Sequence, residues 1–390
     1  MENAEEVEEM SMKRVIPILA FAMGIVAAFV GSSQAQLSVA VIGPSRTGDT
    51  FATALYNGAQ MAIEEWNAKG GVLGMKIVPV VEDSLEDPAM AAAAARKVID
   101  TVHVHYIIGD VYSVPSIAIS EVANAAKVIQ ISPCATRAGL TVDASGATKA
   151  YIFRACFTDP AQAKVAAQFA RGKLKAGKAF ILSNPSDAYS AGLAEAFEPA
   201  FVKAGGVSVG KEHYAAADSD FTAILRKVKA AKPDVVYLPD FYTVANAFMR
   251  QAKAQGIKTP FIGSDAWLSE NLDLQACEGS YFTEHYWAGD PRAEVETFMA
   301  AYSAKFKGTP YFEEGALVAG GAYDAANLLL QAIRKAGGDD VEKVKAALEG
   351  ISFSGVSGSF TFDAHHDPVK AVAILHISEG KIGYDSAVSP

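Results

Sequence analysis

The chain has 390 residues, 51% of them apolar and 20% charged, with a net charge of −10 and three cysteines. Such an acidic chain offers no basic face to nucleic acid and repels anionic lipid. It is also longer than one hydrophobic core usually supports, which gives two domains.

Lys13-Arg14 precede an unbroken apolar stretch, Val15 to Val30, followed by Gly31-Ser32-Ser33-Gln34-Ala35-Gln36. A basic segment, a short apolar segment and small residues spell a signal peptide over residues 1–35, cut after Ala35. The apolar segment is shorter than the ~20 residues of a membrane span, and no cysteine stands near the cut to carry a lipid. The glutamates ahead of Met12 do not suit a signal, so Met12 reads as the true start. Cleavage removes five acidic and two basic residues, leaving −7. The mature protein is expected in the periplasm.

Apolar β-rich runs then alternate with helical periodicity. Strands are expected at 37–43, 76–82, 104–109, 127–131, 178–183, 234–238 and 260–263. Helices are expected near 53–68, 88–100, 114–125, 160–176, 188–204, 219–231 and 243–255. Asp87-Pro88 is an N-cap followed by Pro at the first helical position, and Asp218-Ser219-Asp220 caps the helix after it. The alternation runs once before about residue 157 and once after. Helices at 291–307, 312–336 and 339–349 follow, and strands at 358–362 and 371–376, with a further pair at the end, close the chain. The fold class is therefore α/β, with two doubly wound parallel-sheet lobes. Ligands of open α/β sheets bind beyond the carboxyl ends of the strands, which singles out loops 43–52, 109–116, 132–137, 183–190, 238–243 and 263–268.

Those loops carry chemistry. Ser113 follows a strand and opens a helix, where free N–H groups favour an anion; alone it reads equally well as a cap. Thr136 ends the next strand's loop, and two hydroxyls on neighbouring strand ends can share one carboxylate. In the second half, Asp265 and Asp240 follow strands and suit an ammonium ion, or cap helices. Phe51, Tyr112, Tyr189, Phe241, Tyr242 and Trp267 stand on such loops as candidate apolar walls.

Other motifs carry less. Gly205 to Glu212 matches a phosphate loop only until its last position and lies between a helix and a strand, the wrong order. His103-Val104-His105 would place two imidazoles on one strand face without a third metal ligand. His365-His366-Asp367 reads as a solvated turn. No nucleophile elbow is present, so no catalytic residue, metal or cofactor is assigned. Cys134, Cys156 and Cys277 allow one disulfide and one free thiol, or three small buried hydrophobes.

The segments VAVIGPSRTG (39–48), NGAQMAIEEWNAKGGVLGMKI (57–77), VVEDSLEDP (80–88), IIGDVYS (107–113), ISPCAT (131–136), FRACFTD (153–159), NPSDAYSAGLAEAF (184–197), DFTAILRKVKAAKPDVVYL (220–238) and MRQAKAQGIKTPFIGSDAW (249–267) occur in order across the mature chain. In that order and spacing the chain resembles the periplasmic leucine/isoleucine/valine-binding proteins, the type I solute receptors of branched-chain amino-acid ABC transporters. The resemblance implies a type I periplasmic-binding-protein fold whose lobes close over a solute by a three-crossing hinge. It implies an N-terminal lobe of 36–157 plus 286–352 and a C-terminal lobe of 158–285 plus 353–390, with crossings near 156–159, 284–287 and 352–360.

It further implies that Ser113 and Thr136 bind the ligand α-carboxylate, with the backbone at Cys134 assisting. Asp265 would bind the α-ammonium, Tyr189 and Phe241 would line the second lobe, and Phe51 would stand near a family aromatic. Four departures bear on the ligand side chain. Arg46 either reaches a second carboxylate or faces solvent. Asp240 adds negative charge, and Tyr112 and Leu85 replace or displace the usual first-lobe disulfide pair. The implied partners are a small solute and the permease subunits of an ABC transporter, with the receptor itself a monomer and no nucleic acid bound. Three alternatives differ: the same receptor tuned to an aromatic or aliphatic carboxylic acid or a small amide, an exported amide- or peptide-processing enzyme, and a sensory module.

Overall fold

The computed structural model describes residues 35–44, 50–308 and 312–390. Its first sheet holds β1 (Gln36–Gly43), β2 (Lys76–Asp83), β3 (Tyr106–Gly109), β4 (Ile129–Ser132) and β5 (Ile152–Arg154) in the order β2-β1-β3-β4-β5. Every pair is parallel. Strand alternation divides β1 between two cores. Leu37, Val39 and Val41 face one side with α1 (Thr50–Ala68) and α9 (Phe312–Ala336). Ala40 and Ile42 face the other with α2 (Pro88–Lys97) and α3 (Ser113–Ala125). Gly58 lets α1 approach α9: a Cβ there would lie 2.0 Å from the Ala319 carbonyl oxygen.

The second sheet repeats the plan. β6 (Lys178–Ser183), β7 (Val207–His213), β8 (Val235–Tyr237), β9 (Phe261–Gly263) and β10 (Tyr281–Glu284) run parallel in the order β7-β6-β8-β9-β10. Phe180, Leu182 and Val236 face one core, with Leu225 of α6 (Thr222–Ala231) and Phe248 of α7 (Tyr242–Ala254). Ala179, Ile181 and Val235 face the other, with Phe169 of α4 (Asp159–Gly172) and Phe197 of α5 (Ala188–Lys203).

Beyond β10 the chain enters α8 (Ala293–Phe306), α9 and α10 (Val341–Glu349), whose side chains join the first lobe's cores. A small antiparallel sheet follows, β11 (Ser352–Gly355), β12 (Gly358–Phe362) and β13 (Pro368–Val369). Then β14 (Val372–Ser378) and β15 (Lys381–Val388) extend the second sheet antiparallel to β10. The expected lobe boundary near 352 falls elsewhere. Phe353 and Phe360 pack in the first lobe's core, so the third crossing lies between β13 and β14. Lys370 stands there, fully enclosed, and donates to the Ala155 carbonyl oxygen (3.3 Å) and to Ser357 Oγ (2.7 Å), tying the first crossing to the third.

The helical segments lie where the periodicity places them. In the two main sheets three strands do not announce themselves in sequence: β5 and β10 each carry a charged residue, Arg154 and Glu284, that breaks the apolar run, and β7 is a half-exposed edge strand that takes up most of the segment imitating a phosphate loop. Two histidine readings change. His103 ends the turn after α2 at φ 58°, and β3 begins only at Tyr106, so the two imidazoles share no strand face. His366 is buried, stacked on Phe153 at 4.1 Å, with Nδ1 3.0 Å from the Ile152 carbonyl oxygen. All three cysteines are free thiols.

Candidate functional site

The carboxyl ends of the two sheets face a cavity of about 420 Å³. The first lobe contributes Phe51, Tyr112, Ser113, Cys134, Thr136 and Arg137; the second contributes Asp187, Tyr189, Phe241, Asp265, Glu284 and His285. Eight residues picked from sequence thus meet in one place. Arg46 lies outside the described residues. Three others do not border the cavity. Asp240 is buried beneath it, accepting from the Tyr214 hydroxyl (2.6 Å) and the Phe241 N–H (2.7 Å). Burial pushes its carboxyl up despite the Tyr214 bond. Trp267 is a core residue: its indole N–H donates to the Leu238 carbonyl oxygen (3.2 Å), and its ring covers Gly263, where a Cβ would lie 2.2 Å away. Tyr242 likewise packs on the second lobe's core. These three follow strands, but their side chains turn back under the sheet instead of out of the cleft.

On the first lobe, β3 and β4 end side by side. Ser113 begins α3, and its Oγ lies 3.4 Å from the Arg137 N–H, which draws the two loops together. Loop 133–137 is held from beneath by Arg154, whose buried guanidinium donates to the carbonyl oxygens of Ala135 (2.6 Å) and Arg137 (2.9 Å) and pairs with Asp367 at 2.6 Å. The Cys156 thiol donates to the same Ala135 oxygen at 3.3 Å. Burial raises the Cys134 thiol well above its ordinary value and pushes Cys156 up to about 12, so neither is an activated thiolate.

The second lobe presents acid. Asp265 Oδ1 accepts from the Tyr189 hydroxyl and from Gln162 Nε2 (2.9 Å), and Oδ2 lies 3.3 Å from His285 Nε2. Gln162 is itself fixed, its Oε1 accepting from the Asp265 N–H (3.1 Å) and the Thr283 hydroxyl (2.7 Å). Burial pushes the Asp265 carboxyl up, but the bonds from His285, Tyr189 and Gln162 outweigh it and hold it below the usual carboxylate range. Glu284 behaves oppositely: burial, with the Asp265 charge beside it, raises its carboxyl well above the usual range. Asp159, at the first crossing, is pushed up to about 7 by burial, opposed by the Thr136 hydroxyl and reinforced by Asp265. Its backbone N–H donates to the Thr136 carbonyl oxygen (3.0 Å).

The walls are apolar. Phe51 and Tyr112 stand 6.1 Å apart on one lobe, Tyr189 and Phe241 5.5 Å apart on the other, with Leu268, Leu317 and Val318 between them. Reading the sequence missed Arg137, Asp187, Glu284 and His285. Arg137 and Asp187 lie inside loops already singled out; Glu284 ends β10 and His285 follows it, and the polar residues Thr283 and Glu284 keep that strand from reading as an apolar run.

Two parallel-sheet lobes joined by crossings, with hydroxyls on one side of the cavity and a fixed carboxylate on the other, define a solute-binding protein. The sequence profile of the family described as periplasmic binding protein matches residues 36–381. The Leu/Ile/Val-binding protein BraC3 of Rhizobium johnstonii is 32% identical over 83% of this chain and 86% of its own. Among solved structures, a leucine-binding protein of Thermotoga maritima superimposes with a TM-score of 0.76, at 29% identity over 91% of this chain and all but 1% of its own. A branched-chain amino-acid transporter substrate-binding protein of Streptococcus pneumoniae, in complex with isoleucine, gives 0.77 at 28% identity, over 91% of this chain and 100% of its own. The chain belongs to the periplasmic binding protein family, among the Leu/Ile/Val-binding proteins. That family consists of extracytoplasmic solute-binding proteins, not enzymes.

Proposed function

We propose that the protein is the periplasmic receptor of an ABC importer, capturing a branched-chain or related amino acid between its lobes and delivering it, as a monomer, to a membrane permease. In this reading Ser113, Thr136 and the loop N–H groups take the α-carboxylate, with Arg137 adding charge at the same end. Asp265 takes the α-ammonium, and the aromatic and aliphatic walls take the side chain. Charge-assisted bonds of this kind are stronger than neutral ones. The observation that carries the reading is the placing of the two chemistries: hydroxyls and the Arg137 cation, with one acid, Glu86, border the cavity from the first lobe, and the ionised Asp265 carboxylate from the second.

One observation favours a second reading, a carboxylic acid or small amide without an amine. Both oxygens of Asp265 already have partners within the protein. A thermal-shift screen of residues 36–390 against amino acids, small amides and amine-free carboxylates separates the two, since a ligand of the native state raises the melting temperature by mass action. A shift with α-amino acids supports the first reading; a shift confined to amine-free acids or amides replaces it with the second.

A further inference from the structure

Glu284 ends β10 and borders the cavity, yet only 2% of it is exposed. Its Oε1 accepts from the His285 backbone N–H at 2.7 Å. No other hydrogen bond or ion pair from the described residues reaches this carboxyl, so its second oxygen has no partner among them. A buried polar atom left unpaired is costly, and native proteins pair nearly all of them. Asp324, an equally buried acid on α9, shows what a structural role looks like. Its Oδ1 accepts from the Val356 N–H (2.9 Å), and its Oδ2 from the Ser357 N–H (2.7 Å) and hydroxyl (2.6 Å).

The other acids on the cavity differ from Glu284. Glu86 is exposed. Asp187 caps α5, its Oδ1 accepting from the N–H groups of Tyr189 (2.9 Å) and Ser190 (2.8 Å). Asp265 is nearly filled: Oδ1 accepts from Tyr189 and Gln162, and Oδ2 lies against His285 Nε2. A carboxylate offers about four lone-pair sites, and an ammonium brings several N–H donors. Asp265 alone therefore leaves part of an α-ammonium unbonded. Glu284 is near enough to feel the Asp265 charge, and its carboxyl has room.

Resting on the amino-acid reading above, we propose that Glu284 is a specificity-determining residue whose open oxygen completes the ammonium site with Asp265, so that the receptor selects ligands bringing an amine. In the empty cleft burial and the Asp265 charge hold this carboxyl neutral. A neutral carboxyl keeps acceptor capacity, and an ammonium seated between the two acids removes the repulsion that opposes its ionisation.

The test is calorimetric titration of residues 36–390 with leucine and with 4-methylpentanoate, which is leucine without its amine. Glu284→Gln keeps an oxygen for the His285 N–H but turns an amide NH2 toward the ammonium. It should weaken leucine by about 10–100-fold, the worth of a hydrogen bond to a charged group. Binding of 4-methylpentanoate should stay within about threefold of the wild type. Unchanged affinity for leucine overturns the proposal, and so does an equal loss of both ligands, which would make Glu284 a packing residue. A crystal structure of the wild type with leucine gives a second answer that needs no variant to fold. The proposal expects the ligand nitrogen within hydrogen-bond distance of the Glu284 carboxyl. A nitrogen bonded to Asp265 alone overturns the proposal and leaves the amino-acid reading standing. Failure of leucine and of every other amino acid to bind the wild type overturns both.

Discussion

The two lobes wind their strands in the same order, β2-β1-β3-β4-β5 and β7-β6-β8-β9-β10, yet present opposite chemistry at the same place. On the first, strand ends carry Ser113, Thr136 and Arg137; on the second, Asp265 with Glu284 and His285. Topology fixes where a ligand can sit, at the carboxyl ends beside the switch in strand order. Loop residues then fix which end of the ligand each lobe holds. Support beneath the two loops differs as well. The first is braced by a buried cation, Arg154; the second by a neutral amide, Gln162, and a histidine.

That asymmetry can be broken in graded steps. Asp265→Ala should weaken an amino acid more than a hundredfold, in line with the roughly 3–5 kcal/mol lost when one partner of a buried pair is removed. It should leave a simple carboxylic acid nearly unaffected, as read by calorimetry; equal losses would remove the ammonium role. Arg154→Met leaves Asp367 uncompensated and frees loop 133–137, so chemical denaturation should report a loss of about 3–5 kcal/mol, with weaker binding of both ligand types.

Ser113→Ala should act on the carboxylate alone. A hydrogen bond to a charged group contributes about 1.5–3 kcal/mol, so amino acids and amine-free acids should lose affinity by the same factor, roughly 10–100-fold; selective loss of amino acids would reverse the lobe assignments. A last prediction concerns Asp159 and is read as stability, not binding. Its carboxyl is pushed from 3.8 to about 7, so between these values the folded state binds more protons than the unfolded one. Its contribution to stability is full below the unfolded value and is lost as pH rises through about 7. Asp159→Asn should therefore raise the melting temperature at pH 8 but not at pH 4, and thermal melts across that range would detect it. A variant equally stabilised at both values would locate the effect in packing.

How much of this was legible follows from how apolar each strand reads, not from its length. β3, β4, β8 and β9 have only 3 or 4 residues but lie in apolar runs bounded by turn residues, so their loops could be named in advance. β5 and β10 carry a charged residue each, Arg154 and Glu284, which breaks the apolar run; with them went Glu284, His285 and the brace Arg154. Asp240 and Trp267 show the converse error. Each follows a strand, as Asp265 does, but a residue's position along the chain does not say whether its side chain leaves the sheet or turns under it. Asp240 bonds Tyr214 and Trp267 covers Gly263, contacts that no periodicity announces. His366, expected in a solvated turn from its polar context, is buried and stacks on Phe153.

The central claim, one lobe for each end of an amino acid, is tested most directly by a crystal structure of residues 36–390 with the amino acid that gives the largest thermal shift. The account predicts the α-carboxylate against Ser113 and Thr136 and the α-ammonium in hydrogen-bond contact with Asp265. A ligand bound the other way round, or seated without touching Asp265, would contradict it.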